Sequence, residues 1–459
     1  MISLDRIFNI IFNPMKIFPD FVLKRIKHRA NFLKIVDNFG WLFVDKVLRM
    51  GVGVLVWVWI ARHLGPEQFG ILNFALAFIS LFGAFAGLGM QGIVVRELIH
   101  NPQYARLLLG TTALLQSIGG LLAFLAALLV IFYLRPDDLV TRIIVAILSG
   151  TILLKGSEVA IYWYESQIQS KYIVWVQGSI FLAFCAIKIL LILDNISLIA
   201  LAWVILAEGF ITAISMLLLL NAHQVQLISL RANIGCAKTL LNDSWPLLIS
   251  SLSIIIYMKI DQIMLGQMIG DEAVGVYSAA TKISEVWYFV PMIIVSSVFP
   301  AILDAKKKSE HLYLKRFQNL YDLMVIVSVT VAALMTFLSK YIIGFLYGGV
   351  FMESDSVLSI HIWASVFVFL GVAGSKWYLT ENRLGLDLQR MLVGALSNIF
   401  FNLALIPNYG VIGAAVGLVL SQVLSSWIFD CFYSATRPMF LMKFAALNPF
   451  SLIPRIRSH

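Results

Sequence analysis

Charge is what this sequence has least of. Only 13% of its 459 residues are Asp, Glu, Lys or Arg, against about 25% in soluble domains. With 60% hydrophobic residues and a mean hydropathy of +0.89, that scarcity excludes a soluble globular chain and leaves a polytopic membrane protein. Cysteine is nearly absent. Cys185, Cys236 and Cys431 are scattered, so neither a disulfide framework nor a metal-ligand spacing is present. No G-x-x-x-x-G-K-[ST] loop and no H-E-x-x-H occur, which excludes a P-loop ATPase and a zincin. His63, His223, His311 and His361 are isolated, and nothing resembles a nucleophile paired with a base. The chain is therefore predicted not to be an enzyme and to need no cofactor or metal. The N-terminus lacks a compact apolar run ending in a small-residue site, so no cleavable signal peptide is predicted.

What is there is a series of apolar runs of spanning length, at roughly 39–62, 69–94, 107–134, 139–164, 172–193, 196–220, 244–268, 275–302, 318–346, 355–380, 390–407 and 410–435. These predict twelve transmembrane helices in an all-α integral membrane protein. The net charge of +9 does not indicate nucleic acid, because the basic residues fall in short segments between the runs. Counted by side, 23 Lys and Arg lie with the N-terminus and 4 on the opposite face, which predicts that both termini are cytoplasmic. Ahead of the first run, Phe21–Val36 places Val22, Ile26 and Leu33 apart from most of its basic residues. Residues 1–38 thus read as a basic amphipathic segment on the lipid surface, or alternatively as a disordered tail.

The two halves echo each other. Gly65-Pro66-Glu67-Gln68-Phe69-Gly70 aligns with Gly270-Asp271-Glu272-Ala273-Val274-Gly275, and Trp41 with Trp245. Six is an even number, so two such copies insert in the same orientation, with a site expected near the midplane between them. The predicted organisation is a segment 1–38, a six-helix half 39–222, a linker 223–243, a second half 244–436 and a tail 437–459.

Seven basic residues remain after that count by side: Lys46, Arg49, Lys155, Lys188, Lys259, Lys282 and Lys376. A charge near the bilayer centre costs roughly 2.5–3.5 kcal/mol on insertion scales, so such residues face a partner or a watery cavity. Helical spacing groups them with acids. Trp41, Asp45 and Arg49 share a face, as do Thr151, Lys155, Glu158, Tyr162 and Glu165. Ser250, Ser253, Tyr257 and Asp261 form one stripe, and Ser278, Lys282 and Glu285 another. The candidate cavity cations are Arg49, Lys155, Lys282 and Lys376. Asp45, Glu158, Asp261 and Glu285 are the candidates for tuning those charges or carrying a coupling ion. Lys188 has no partner in its own helix, Glu208 stands between packing and cavity, and Asn398 and Asn402 suit interhelical hydrogen bonds.

Several segments carry a family resemblance. Tyr257–Gly266 (YMKIDQIMLG), Val274–Pro291 (VGVYSAATKISEVWYFVP) and VFPAI at Val298–Ile302 resemble the second-half signature of the Wzx polysaccharide-transporter flippases. Ile60–Ala75 (IARHLGPEQFGILNFA), Val94–Ile99 (VVRELI) and Ser397–Gly417 (SNIFFNLALIPNYGVIGAAVG) are similar in the same order. Those flippases share a superfamily with lipid II flippases and multidrug and toxin extruders. The resemblance implies two six-helix bundles around a central cavity in a bacterial inner membrane. It implies movement of undecaprenyl-pyrophosphate-linked oligosaccharide repeats from the cytoplasmic to the periplasmic leaflet for O-antigen, capsule or exopolysaccharide. The expected partners are that lipid-linked oligosaccharide, the bilayer, a coupling ion (H+ or Na+), a polysaccharide polymerase and a chain-length regulator. Two alternatives stand beside it. A multidrug or cation antiporter of the same superfamily would favour an acidic cavity. A membrane polysaccharide polymerase or ligase would need a large outside loop, whereas the outside loops here are short.

Overall fold

The computed structural model describes residues 30–223 and 225–448. Residues 1–29 of the predicted basic segment, and residues 449–459 of the predicted tail, lie outside them. Regular structure among the described residues is entirely helical: α1 Ala30–Gly87, α2 Gln91–His100, α3 Ala105–Leu134, α4 Leu139–Ser149, a 3-10 segment Gly150–Glu158, α5 Val159–Ser166, α6 Ser170–Leu193 and α7 Leu198–His223. There follow α8 Ile234–Met268, α9 Asp271–Glu285, α10 Phe289–Lys308, α11 Glu310–Tyr347, α12 Ser354–His361, α13 Ala364–Thr380, α14 Leu384–Ser426 and α15 Arg437–Leu447. Ten helical stretches among the described residues are long and apolar enough to cross a membrane. Their surfaces suit lipid: Leu121, Leu122, Leu125, Leu129 and Phe132 of α3 all point outward. This is a multi-pass membrane protein.

The first and last of these stretches run over Gly40–His100 and Leu384–Cys431. At 1.5 Å per residue, a straight 61-residue helix would be about 90 Å long, some three times the hydrocarbon thickness. Each stretch turns at a glycine instead. Gly65 takes φ 71° and ψ 173° in α1, and Gly410 takes φ 55° and ψ −131° in α14. Only glycine reaches such values without a Cβ penalty. Pro66 follows the first break, where its fixed φ and missing N–H suit the start of a helix.

The chain divides into two compact units. The first holds the described residues to Trp57, with Phe85–Pro136 and Ala146–Trp245. Its core gathers Met90, Val94, Leu98, Leu109, Tyr164 and Leu220. The second holds Val58–Ala84, Asp137–Val145 and the chain from Pro246 onward. Its core gathers Phe317, Tyr321, Met324, Phe369, Tyr378 and Met439.

Within the second unit the two aligned turns touch. A Cβ on Gly70 would overlap the Asp271 carbonyl oxygen, and a Cβ on Gly275 would overlap the Pro66 carbonyl oxygen. The contact is reciprocal between equivalent positions of the sequence repeat, so it lies on a local two-fold relation between the hairpin tips. Gly275→Ala should push these backbones apart and cost about 1–3 kcal/mol, as overpacking does. A thermal melt of the purified variant that matches wild type would contradict this packing.

The first part of the predicted cytoplasmic tail is a packed helix. Arg437–Leu447 is helix α15, and Met439, Lys443 and Ala446 recur at i+4 and i+3 on one fully buried face. Lys443 therefore belongs to the core rather than to a solvated tail. Its Nζ donates to Asp430 Oδ2 at 2.6 Å and to the Ser426 carbonyl at 2.7 Å. The Tyr378 hydroxyl donates to Asp430 Oδ1 at 2.5 Å. Arg390, the first residue of the predicted run 390–407, is likewise buried, and its Nη2 donates to Asp387 at 2.7 Å and to Ser375 at 3.0 Å. Gly371 and Gly374 of α13 leave room for these groups: a Cβ at Gly374 would sit 3.0 Å from the Lys443 ammonium.

Candidate functional site

In the first unit the polar face predicted over Thr151–Glu165 is present, but its backbone is not the one the spacing assumed. Gly150–Glu158 is a nine-residue 3-10 segment, longer than the three or four residues such turns usually reach. Close approach to α3 accompanies it. A Cβ at Gly120 would lie 2.7 Å from the Ile152 carbonyl, and one at Gly156 would overlap Ser117 Oγ. With three residues per turn, Lys155 and Glu158 stack directly on one face, and Lys155 Nζ donates to Glu158 Oε1 at 2.7 Å. The Tyr162 hydroxyl donates to Glu158 Oε2 at 3.1 Å, and Gln116 Nε2 donates to the Tyr162 oxygen at 3.0 Å and to the Gly87 carbonyl at 3.2 Å. That relay fixes the carboxylate from α3 and α5.

A cavity of about 430 Å³ opens beside this face, between the 3-10 segment and α7. Lys155, Glu158 and Glu208 all line it, with Thr151, Ser157 and Thr212. Lys188, alone in its own helix, reaches from α6 to Glu208 Oε2 at 2.6 Å. Glu208 thus serves both packing and cavity.

Asp45 and Arg49 pair on α1 at 2.8 Å, as the i+4 spacing predicts. The Arg49 guanidinium also sits 5.2 Å from the Phe181 ring, and its buried Nη2 has no hydrogen-bond partner among the described residues. Asp45 lines a smaller cavity of about 170 Å³ with Trp41 and Trp175, whose ring centroids are 5.8 Å apart.

The second unit treats its charges differently. Lys259 of α8 reaches Glu285 at the end of α9 at 3.4 Å. Asp261 pairs with no cation among the described residues. It is 1% exposed, and its carboxylate accepts from the Tyr277 hydroxyl at 2.6 Å and from Asn402 Nδ2 at 2.6 Å. Asn402 is the interhelical partner its position suggests. Beside this group, His361 Nδ1 lies 2.9 Å from Ser284 Oγ, and its ring meets Tyr277 edge-on at 5.8 Å. His361 looked isolated in sequence, because its partners are 77 and 84 residues away and no local spacing signals them. Lys282 lies on α9 one turn before Glu285. Lys376 of α13 pairs with no carboxylate among the described residues; its ammonium stands 5.5 Å from the Phe299 ring. Among the described residues the charges therefore fall into paired sites, Asp45–Arg49, Lys155–Glu158 and Lys259–Glu285, with Asp261 and Lys376 outside those pairs.

Comparison with known proteins places this geometry. The model for the family described as polysaccharide biosynthesis protein matches residues 35–306, more than half of the chain. The chain belongs to that family. Among curated relatives, the probable low-salt glycan biosynthesis flippase Agl15 of Haloferax volcanii is 23% identical over 398 residues, covering 84% of this chain and 80% of the relative. The capsular polysaccharide biosynthesis protein CapF of Staphylococcus aureus is 21% identical, over 87% of this chain and 99% of its own. The solved lipid II flippase MurJ, in an inward closed conformation, superposes with a TM-score of 0.65 over 91% of this chain and 92% of its own at 13% identity. At that identity the likeness speaks for the fold of the family member, not for its cargo.

Proposed function

We propose that the chain is a flippase carrying undecaprenyl-pyrophosphate-linked oligosaccharide repeat units from the cytoplasmic to the periplasmic leaflet by alternating access. It would serve synthesis of a surface polysaccharide, with both termini cytoplasmic in an inner membrane. The observation that carries this reading is a polar cavity lined by Lys155, Glu158 and Glu208, among helices whose outer surfaces suit lipid. In a membrane chain, ionisable groups that line a cavity rather than a closed core point to a path for polar cargo or ions. Membership of a polysaccharide biosynthesis family and the flippase relatives support the choice of cargo.

The glycine breaks support twelve crossings, because Gly65 and Gly410 each divide a stretch too long for one. The sequence repeat supports two six-helix copies, 39–222 and 244–436. The reciprocal contact between the hairpin tips at Gly70 and Gly275 supports a seal on the side opposite the termini, which alternating access must break. Arg49, Lys155, Lys282 and Lys376 contact the phosphates or sugars of the substrate. Asp45, Glu158 and Glu285 balance those charges, and Asp261 holds the coupling ion, H+ or Na+. A polymerase and a chain-length regulator act downstream.

Deleting the gene tests this reading. Lipid-linked repeats should accumulate on the cytoplasmic leaflet while surface polysaccharide disappears. Accumulation on the periplasmic side would mean that translocation still works and would favour a polymerase. Altered drug sensitivity without lipid-linked accumulation would favour an extruder.

A further inference from the structure

We infer that the cavity between the 3-10 segment and α7 receives the carbohydrate part of the substrate, and that it takes neutral, hydroxyl-bearing sugar rather than phosphate. The inference deepens the flippase reading and rests on it. Its first ground is charge balance. The one cation lining this cavity, Lys155, is matched by Glu158 at 2.7 Å, and the second lining carboxylate, Glu208, is matched at 2.6 Å by Lys188, which does not itself line the cavity. The two pairs sum to no net charge, and a pyrophosphate entering here would meet two carboxylates and one ammonium group on the lining. It gains no net field from such a site. Phosphate oxygens at neutral pH also offer chiefly acceptors, and a carboxylate has no proton to donate to them.

The second ground is hydrogen-bonding capacity. Lys155 spends one N–H on Glu158 and keeps two. Glu158 and Glu208 retain lone pairs beyond the bonds they accept. Thr212 adds a hydroxyl to the lining. Donors and acceptors therefore alternate around one cavity, which is the pattern that sugar hydroxyls match, since each of them both donates and accepts. Ile205 and Met216 in the same wall offer apolar surface to the C–H faces of a ring. A volume of about 430 Å³ falls within the range of small-molecule sites, about 300–1,000 Å³. Lys376 provides the contrast: it has no carboxylate partner among the described residues, which is what a phosphate contact requires.

The test uses the full chain purified into lipid nanodiscs. Two probes are compared: undecaprenyl pyrophosphate, and the same lipid carrying the oligosaccharide, extracted from cells lacking the gene. Wild type should prefer the glycosylated lipid by about tenfold, the worth of one charge-assisted hydrogen bond. The double variant Lys155→Met/Glu158→Gln removes both charges together, so that no single buried charge is left behind. It should lose that preference while binding the bare lipid within about twofold of wild type. Thr212→Val, which conserves shape, should lose part of the preference and keeps the test open if the double variant does not fold. Equal loss for both lipids would assign the cavity to phosphate and overturn the inference. An unchanged preference in both variants would overturn it as well. Failure of wild type to bind either lipid would overturn the flippase reading itself, a result distinct from the other two.

Discussion

Lys443→Met should destabilise the protein by about 3–5 kcal/mol, the cost of leaving a buried charge without its partner. Lys443 and Asp430 are both fully buried, and the ammonium holds the carboxylate from α15 while the Tyr378 hydroxyl and the Thr436 side chain fix its surroundings from α13 and the turn before α15. Without the lysine, Asp430 keeps one strong donor and loses its counter-charge. The apolar face that seats α15, Met439 and Ala446, persists, so the loss is electrostatic rather than a failure of packing. Pairing the change with Asp430→Asn should recover more than half of it, because replacing a whole buried ion pair is often close to neutral. Chemical unfolding of the purified variants measures both effects. A single variant within about 1 kcal/mol of wild type would mean that Asp430 is already neutral or reached by water.

Asp261→Asn should abolish transport and leave folding and membrane insertion intact. The carboxylate is buried with neutral donors around it, Tyr277 and Asn402, and no cation among the described residues pairs with it. The amide keeps its shape but has one acceptor oxygen where the carboxylate uses two, Oδ2 for Tyr277 and Oδ1 for Asn402, so it can still accept from one of them. Its added N–H2 group meets the Tyr277 oxygen or Asn402, so the structural cost stays near that of one imperfect hydrogen bond, about 1–3 kcal/mol. What the amide loses is the negative charge that would hold H+ or Na+. Asp261→Ala and Lys282→Ala should also stop transport, with less separation from structural effects. Transport at the wild-type rate by a folded Asp261→Asn protein would remove Asp261 from the mechanism.

Particular residues show how far the sequence could be read. Breaks fall at Gly65 and Gly410, and the hairpin turns at Gly270, where short polar turns interrupt apolar runs. Asp45–Arg49 forms as i+4 spacing predicts. The polar face of Lys155 and Glu158 is present although its helix is 3-10, because i+3 neighbours share a face in both geometries. The 3-10 winding itself was not legible, since it depends on backbone approach to Gly120 and Ser117 from another helix. Lys443 and Arg390 misled for a different reason. Counting charges by position assigns a lysine beyond the last apolar run to solvent, and only the docking of α15 shows that its i+3/i+4 face is buried. His361 and Ser284 meet through the fold alone.

The most direct test of the account is leaflet-resolved transport. The purified chain is reconstituted into vesicles whose lipid-linked oligosaccharide starts in the inner leaflet, and a membrane-impermeant lectin reports the headgroup as it appears outside. The account predicts that wild type exposes the headgroup at a rate well above empty vesicles, while Asp261→Asn does not. Headgroup exposure no faster than in empty vesicles, with folded wild-type protein and an ion gradient of either H+ or Na+, would contradict it.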